Sequence, residues 1–185
     1  MDLLARYAEQ DRAYHTAGHL ASILQRVDEL GGCATDIRAV RYAAWFHDAV
    51  YDPHRGDNEA TSADLAAYWL RRFETRPGTV AEVVRLVLLT AGHRPEPGDR
   101  NGAVLCDADL AVLGSTTEGY RAYLTGVRSE YRHVEEAAWR IGRGQVLRSL
   151  LDRPRIFHTP VGFRRYEDSA RANLGGELRA LGGLG

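Results

Sequence analysis

The chain contains no lysine; all 24 of its basic residues are arginine. Arginine suits phosphate recognition, but its use at every basic position reads more simply as codon bias than as a binding signal. Charge of one sign is also missing, since 25 acidic residues leave a net charge of −1. That balance gives no global attraction to a nucleic-acid polymer or a membrane surface. No apolar run approaches the 18 residues a membrane span needs. The first thirty residues carry no apolar core of a signal peptide, so the cytoplasm is the expected compartment. Cysteine occurs twice, at Cys33 and Cys106, in neither a CxxC pair nor a metal spacing, which predicts two reduced core thiols. Strand-type alternation and internal repeats are absent, excluding sheet architectures and solenoids.

What is present is helical periodicity. At 185 residues the chain is expected to form one domain, 1–185, burying roughly 70% of its unfolded surface. The spacing predicts helices over 2–10 and 16–30, then one capped by Thr35 or Asp36 and running through Tyr51. A further helix over 58–73 starts from Asp57. Capping boxes at Thr79 with Glu82 and at Ser115 with Glu118 open two more. Residues 92–102, with two prolines and three glycines, read as a mobile loop, and residues 102–113 as the helix after it. Helices over 135–152 and 163–181 follow, with a linker between Pro154 and Pro160 and a Gly-rich tail expected to be disordered. The fold class is all-α, a compact bundle of eight or nine helices.

The chemistry concentrates in Ala43-Ala44-Trp45-Phe46-His47-Asp48-Ala49-Val50-Tyr51-Asp52. A carboxylate inside so apolar a run is costly unless compensated, and a divalent metal is the commonest compensation. His47 and Asp48 point about 100° apart on a helix, so one ion between them can engage both. Imidazole nitrogen with carboxylate oxygen suits Mn, Fe, Co, Ni or Zn, with Mg also admitted. Two ligands do not close a site. His19, with His15 as its rival one turn earlier, and Asp109, with Asp107 as its neighbour, are the natural donors. Asp52 stands one turn after Asp48 and shares its face if the helix persists.

Four landmarks in this order resemble the HD superfamily of metal-dependent phosphohydrolases: His19, the His47-Asp48 doublet and the distant Asp109. Tyr14-His15-x3-His19, Phe46-His47-Asp48-x2-Tyr51-Asp52, Asn58-Glu59-x2-Ser62-Ala63 and Asp107-Ala108-Asp109-Leu110 are similar to a small bacterial family of predicted HD phosphohydrolases, over roughly residues 12–175. The resemblance implies an HD-type bundle with one divalent ion on His19, His47, Asp48 and Asp109. Leu110 directly after the last Asp departs from the usual pattern. So does Tyr51, where alarmone hydrolases of the superfamily carry a Glu-Asp doublet at 51–52.

The implied activity is hydrolysis of a phosphate ester or anhydride of a nucleotide or other small phosphorylated metabolite. Asp52 or Glu59 would steer the attacking water and His93 would stabilise a phosphoryl oxygen. His15, Asn58, Arg94 and Arg143 are the candidate substrate contacts. His54, His133 and His158 are read as ordinary surface or core residues. A non-catalytic nucleotide-sensing module and an HD-type di-iron oxygenase, which needs two more histidines from His54 and His93, are the alternatives. Neither a nucleic-acid polymer nor a membrane is expected as partner, and a homodimer is left open.

Overall fold

The computed structural model describes residues 2–182. Among them are nine α-helices and no strand: α1 (Leu3–Arg6), α2 (Ala17–Leu30), α3 (Ile37–Phe46), α4 (Asn58–Arg72), α5 (Pro77–Leu89), α6 (Arg100–Leu110), α7 (Thr117–Glu130), α8 (Glu136–Leu151) and α9 (Pro160–Gly182). Short 3-10 turns follow α2 and α6. The all-α bundle is therefore present. The expected disordered tail concerns residues 183–185, outside the described residues, while Gly182 still belongs to α9. No described helix is long and apolar enough to cross a membrane.

Two apolar clusters hold the helices together. In the first, α2 to α6 converge on Val27, Val40, Ala43, Leu86, Val87 and Leu105, each fully or almost fully buried. In the second, Leu147, Ile156, Phe157, Ala170 and Leu174 join α8 and α9 to the 3-10 turn after α6. Helix α6 belongs to both, giving Val104, Leu105 and Ala108 to one and packing Leu110 on the other.

Several helix ends differ from the sequence expectation for identifiable reasons. Helix α3 stops at Phe46 instead of running to Tyr51. The next carbonyls are captured from outside it: Asp48 O and Ala49 O by Arg12, and Val50 O by Ser62. Asp36 is the α3 cap, accepting from Arg38 N and Ala39 N. Helix α5 begins at Pro77, two residues before Thr79, because proline suits the first turn. Glu82 is accordingly free of capping and pairs with Arg85 and Asn101. Helix α7 is capped by Thr116, which accepts from Gly119 N, rather than by Ser115. Helix α6 starts before Gly102, with Asp99 as its cap. Pro160 opens α9 rather than closing a linker.

Two glycines show how tightly the second cluster constrains the chain. A Cβ on Gly114 would lie 2.7 to 2.9 Å from the Cβ, O and Cα of Tyr166, mostly immovable backbone. A Cβ on Gly142, within α8, would meet nothing within 4 Å. Gly114→Ala is expected to destabilise by about 1–3 kcal/mol through overpacking, and Gly142→Ala to stabilise by about 1 kcal/mol through helix propensity. Urea unfolding of the two variants beside the parent checks both signs.

Candidate metal centre

Three segments far apart along the chain bring four side chains to one point. His19 lies in the first turn of α2, His47 and Asp48 follow the last residue of α3, and Asp109 sits in the last turn of α6. His19 Nε2 is 3.5 Å from Asp48 Oδ2 and 3.4 Å from Asp109 Oδ1. His47 Nε2 is 3.0 Å from Asp48 Oδ2 and 3.8 Å from Asp109 Oδ1. A tetrahedron of donors about 2.1 Å from an ion has edges of about 3.4 Å, so these separations are those of ligands around one cation.

The orientation of His47 makes the same point more sharply. Its Nδ1 lies 2.9 Å from the Ala44 carbonyl, which can only accept, so Nδ1 carries the proton. Nε2 therefore faces two carboxylates, with a lone pair for a cation or with a second proton. Nε2 of His19 and of His47 are both buried and without a hydrogen-bond partner among the described residues. Buried lone pairs facing carboxylate oxygens repel unless a cation or a proton stands between them. The donor set thus fits a divalent ion of the transition series.

The electrostatics agree. Burial pushes the His47 imidazole down, but the Asp48 charge more than reverses this, and its pKa rises to about 9. His19 is raised by Asp109 and Asp48 against the same desolvation. Burial works to raise Asp48 and Asp109, and the surrounding imidazoles nevertheless hold both below the usual carboxylate range. Without an ion, protons on the two imidazoles balance the two carboxylates; a divalent ion held by the same atoms would take their place.

The HD doublet keeps its position because the loop after α3 is clipped from both sides. Arg12, buried, donates to Asp48 O at 2.7 Å and to His15 O at 3.1 Å. From the opposite side, Ser62 bonds Val50 N and Val50 O, and Asn58 bonds Asp52 N and Asp52 O. Asn58 and Ser62 stand one turn apart on α4, which explains why they occur together in the sequence.

This geometry corrects part of the expectation. Asn58 spends its amide on the loop backbone and is a structural clip, not a substrate contact. Asp52 does not share the face of Asp48, since α3 ends six residues earlier. Its Oδ1 accepts from His54 N, and it lines a separate cavity with His54 and Arg132. His54 stacks on His133 with ring centroids 3.8 Å apart, lining that same cavity. Arg94 is exposed and does not line the cavity beside the cluster. Arg143 does line that cavity, but Glu177 holds it through two bonds of 2.7 and 3.0 Å and Tyr123 Oη accepts from it at 3.0 Å. It anchors α8 to α9 and is not a free phosphate ligand.

Other expected residues do reach the site. Glu59, in the first turn of α4, lines a cavity of about 560 Å³ together with His15, His47, Asp48, His93 and Asp109. His93 Nε2 lies 2.7 Å from Asp109 Oδ2. The residue adopts a left-handed conformation (φ 47°) that closes α5, and Arg153 donates to its carbonyl. Asp107, the alternative to Asp109, points away, accepting from His158 N and Thr159 N ahead of α9. Its burial pushes its pKa up to about 6.

Sequence reasoning missed Glu130. This buried carboxylate accepts from the backbone N–H groups of Ala13, Tyr14 and His15 and from Tyr51 Oη, and meets His15 Nδ1 at 2.8 Å. His15, stacked on Tyr51 at 4.1 Å, is thereby fixed with a ring nitrogen within 4.8 Å of the ligand atoms of His19 and Asp48. A signal existed: Glu130 stands three residues after the buried Val127, on the inward stripe of α7.

No protein-family model, curated protein or solved structure matches the chain. The resemblance to the HD superfamily rests on its motifs.

Glu130 carries a pH prediction. Burial works to raise its pKa, but the His15 contact and the backbone amides lower it from 4.5 to about 2. A depressed carboxylate stabilises the fold above its unfolded pKa and loses that contribution as pH falls through the folded value. The contribution is of order 3 kcal/mol, present above about pH 4.5 and lost toward pH 2. Acid titration of the urea midpoint should show this loss in the parent and a flatter profile in Glu130→Gln.

Proposed function

We propose that the chain is a metal-dependent phosphohydrolase that cleaves a phosphate ester or anhydride with water as nucleophile. The observation that carries this reading is the convergence of His19, His47, Asp48 and Asp109 from three segments, with the buried Nε2 atoms of both histidines close to the carboxylates and without a hydrogen-bond partner among the described residues. A divalent ion held by His19, His47, Asp48 and Asp109 would polarise a phosphoryl oxygen and lower the pKa of bound water toward neutrality.

The chain's own residues supply the rest. Glu59, the one carboxylate lining the cavity outside the ligand cluster, is placed to orient the attacking water and take its proton. His15, held through Nδ1 by Glu130 and lining the cavity, is placed to contact the leaving oxygen. His93 holds Asp109 through Oδ2, leaving Oδ1 turned toward His19 and His47. A di-iron oxygenase lacks its second histidine here, because His54 lies in another cavity.

The test is phosphate release from a panel of phosphorylated metabolites with Mn, Co, Ni or Mg, run beside His47→Ala and Asp48→Ala. Release should depend on the added ion and fall more than about 100-fold in both variants, beyond the usual loss for an outer partner. Equal release from parent and variants contradicts the reading. So does nucleotide binding without release under every ion, which instead describes a sensing module.

A further inference from the structure

The cavity beside the centre has a polar pole and an apolar far end. Helices α7 and α8 and the turn joining them build the far end with Tyr123, Val127, Tyr131, Val134, Trp139 and Val146. The rings of Tyr131 and Trp139 lie 5.5 Å apart, tilted by 39°. No asparagine, glutamine or serine lines the cavity, and its one threonine, Thr90, donates its hydroxyl to the Val87 carbonyl. Tyr51 Oη donates to Glu130 and Tyr123 Oη accepts from Arg143. Beyond Glu59, the histidines and the phenol and indole hydrogens of Tyr123, Tyr131 and Trp139, no side chain is left to read the edge of a nucleobase or the hydroxyls of a sugar.

Positive charge is equally scarce. Arg143 is the only arginine lining the cavity, and Glu177 neutralises it. Arg128, which stacks over Trp139, is committed to Glu136 and to the carbonyls of Tyr131 and Val134. Meanwhile Asp48, Glu59 and Asp109 all face the space. One phosphoryl group can be met by a divalent ion and the histidines. For the further phosphates of a polyphosphate chain the cavity offers no free arginine, and Glu59, the carboxylate outside the ligand cluster, adds negative charge.

We infer that the substrate is a phosphomonoester of an apolar, aryl-sized alcohol, and not a nucleoside polyphosphate. This rests on the phosphohydrolase reading for the fate of the phosphate, but the preference itself is a property of the cavity. Its volume of about 560 Å³ lies within the usual range for sites that take small organic molecules. Hydrolysis breaks the phosphorus–oxygen bond, the water oxygen joins phosphorus, and the alcohol leaves with a proton.

Gly142 gives a clean way to test the far end. It is an exposed residue on the cavity wall, and a Cβ there meets nothing within 4 Å, so a side chain can be added at this point without a clash at its Cβ. Calorimetry on the Mn-loaded protein would compare 2-naphthylphosphonate, methylphosphonate and β,γ-methylene-ATP. The naphthyl compound is expected to bind at least about tenfold more tightly than either of the others, the equivalent of one decade in Kd. Gly142→Phe should remove that advantage while leaving methylphosphonate affinity and Mn stoichiometry unchanged.

The inference is overturned if the triphosphate analogue binds as tightly as the naphthyl compound, or if naphthyl and methyl phosphonates bind alike. An equal effect of Gly142→Phe on all three ligands also overturns it. Phosphate release from 2-naphthyl phosphate and ATP, measured in parallel, separates the two levels. A preserved binding preference with no release from either sinks the hydrolytic reading alone. Release from ATP without an aryl preference sinks the inference alone.

Discussion

Two imidazole lone pairs and two carboxylates, turned toward each other inside a wall of alanine, valine and aromatic side chains, are the constraint on which this molecule turns. Each group taken singly is expensive to bury, and together without a cation they are more so. The Ala44 carbonyl fixes one His47 proton on Nδ1 and leaves Nε2 as the atom that meets the carboxylates. What remains is charge compensation from within the cluster, which is what a divalent ion supplies. The elevated pKa of His47 is the same pressure expressed as protons.

Much of the surrounding architecture serves to keep that cluster in place. The doublet sits just past the end of α3, where backbone would ordinarily be loose. Arg12 secures it from the N-terminal segment, Asn58 and Ser62 from α4, and Glu130 fixes the His15 backbone from α7. These clips draw on three parts of the sequence, so the site is a product of tertiary packing rather than of one motif. The strained left-handed backbone at His93 belongs to the same scheme, because it brings an imidazole onto Asp109.

The sequence made some of this legible and hid the rest for physical reasons. Helix periodicity and composition were enough for the all-α bundle, because 3.6-residue spacing survives in nearly every element. The convergence of His19, His47, Asp48 and Asp109 could be anticipated since a His-Asp pair in an apolar run demands outside partners. Helix ends were less readable. A capping box at Thr79 and Glu82 lost to Pro77, and α3 lost its last turn to side chains remote in sequence. That second failure carried the error over Asp52, whose place on the face of Asp48 depended on a turn that does not form. Arg143 and Asn58 have the chemistry of substrate ligands, and only their partners reveal that it is already used. Glu130 was hidden as an ordinary helix-surface glutamate, although its spacing from Val127 placed it inward.

Anomalous diffraction from crystals loaded with Mn or Co addresses the central claim most directly. The account predicts a single strong peak per chain, about 2.0–2.2 Å from His19 Nε2, His47 Nε2 and one oxygen each of Asp48 and Asp109. A peak held by other residues, or no peak at these four side chains under saturating metal, would contradict it.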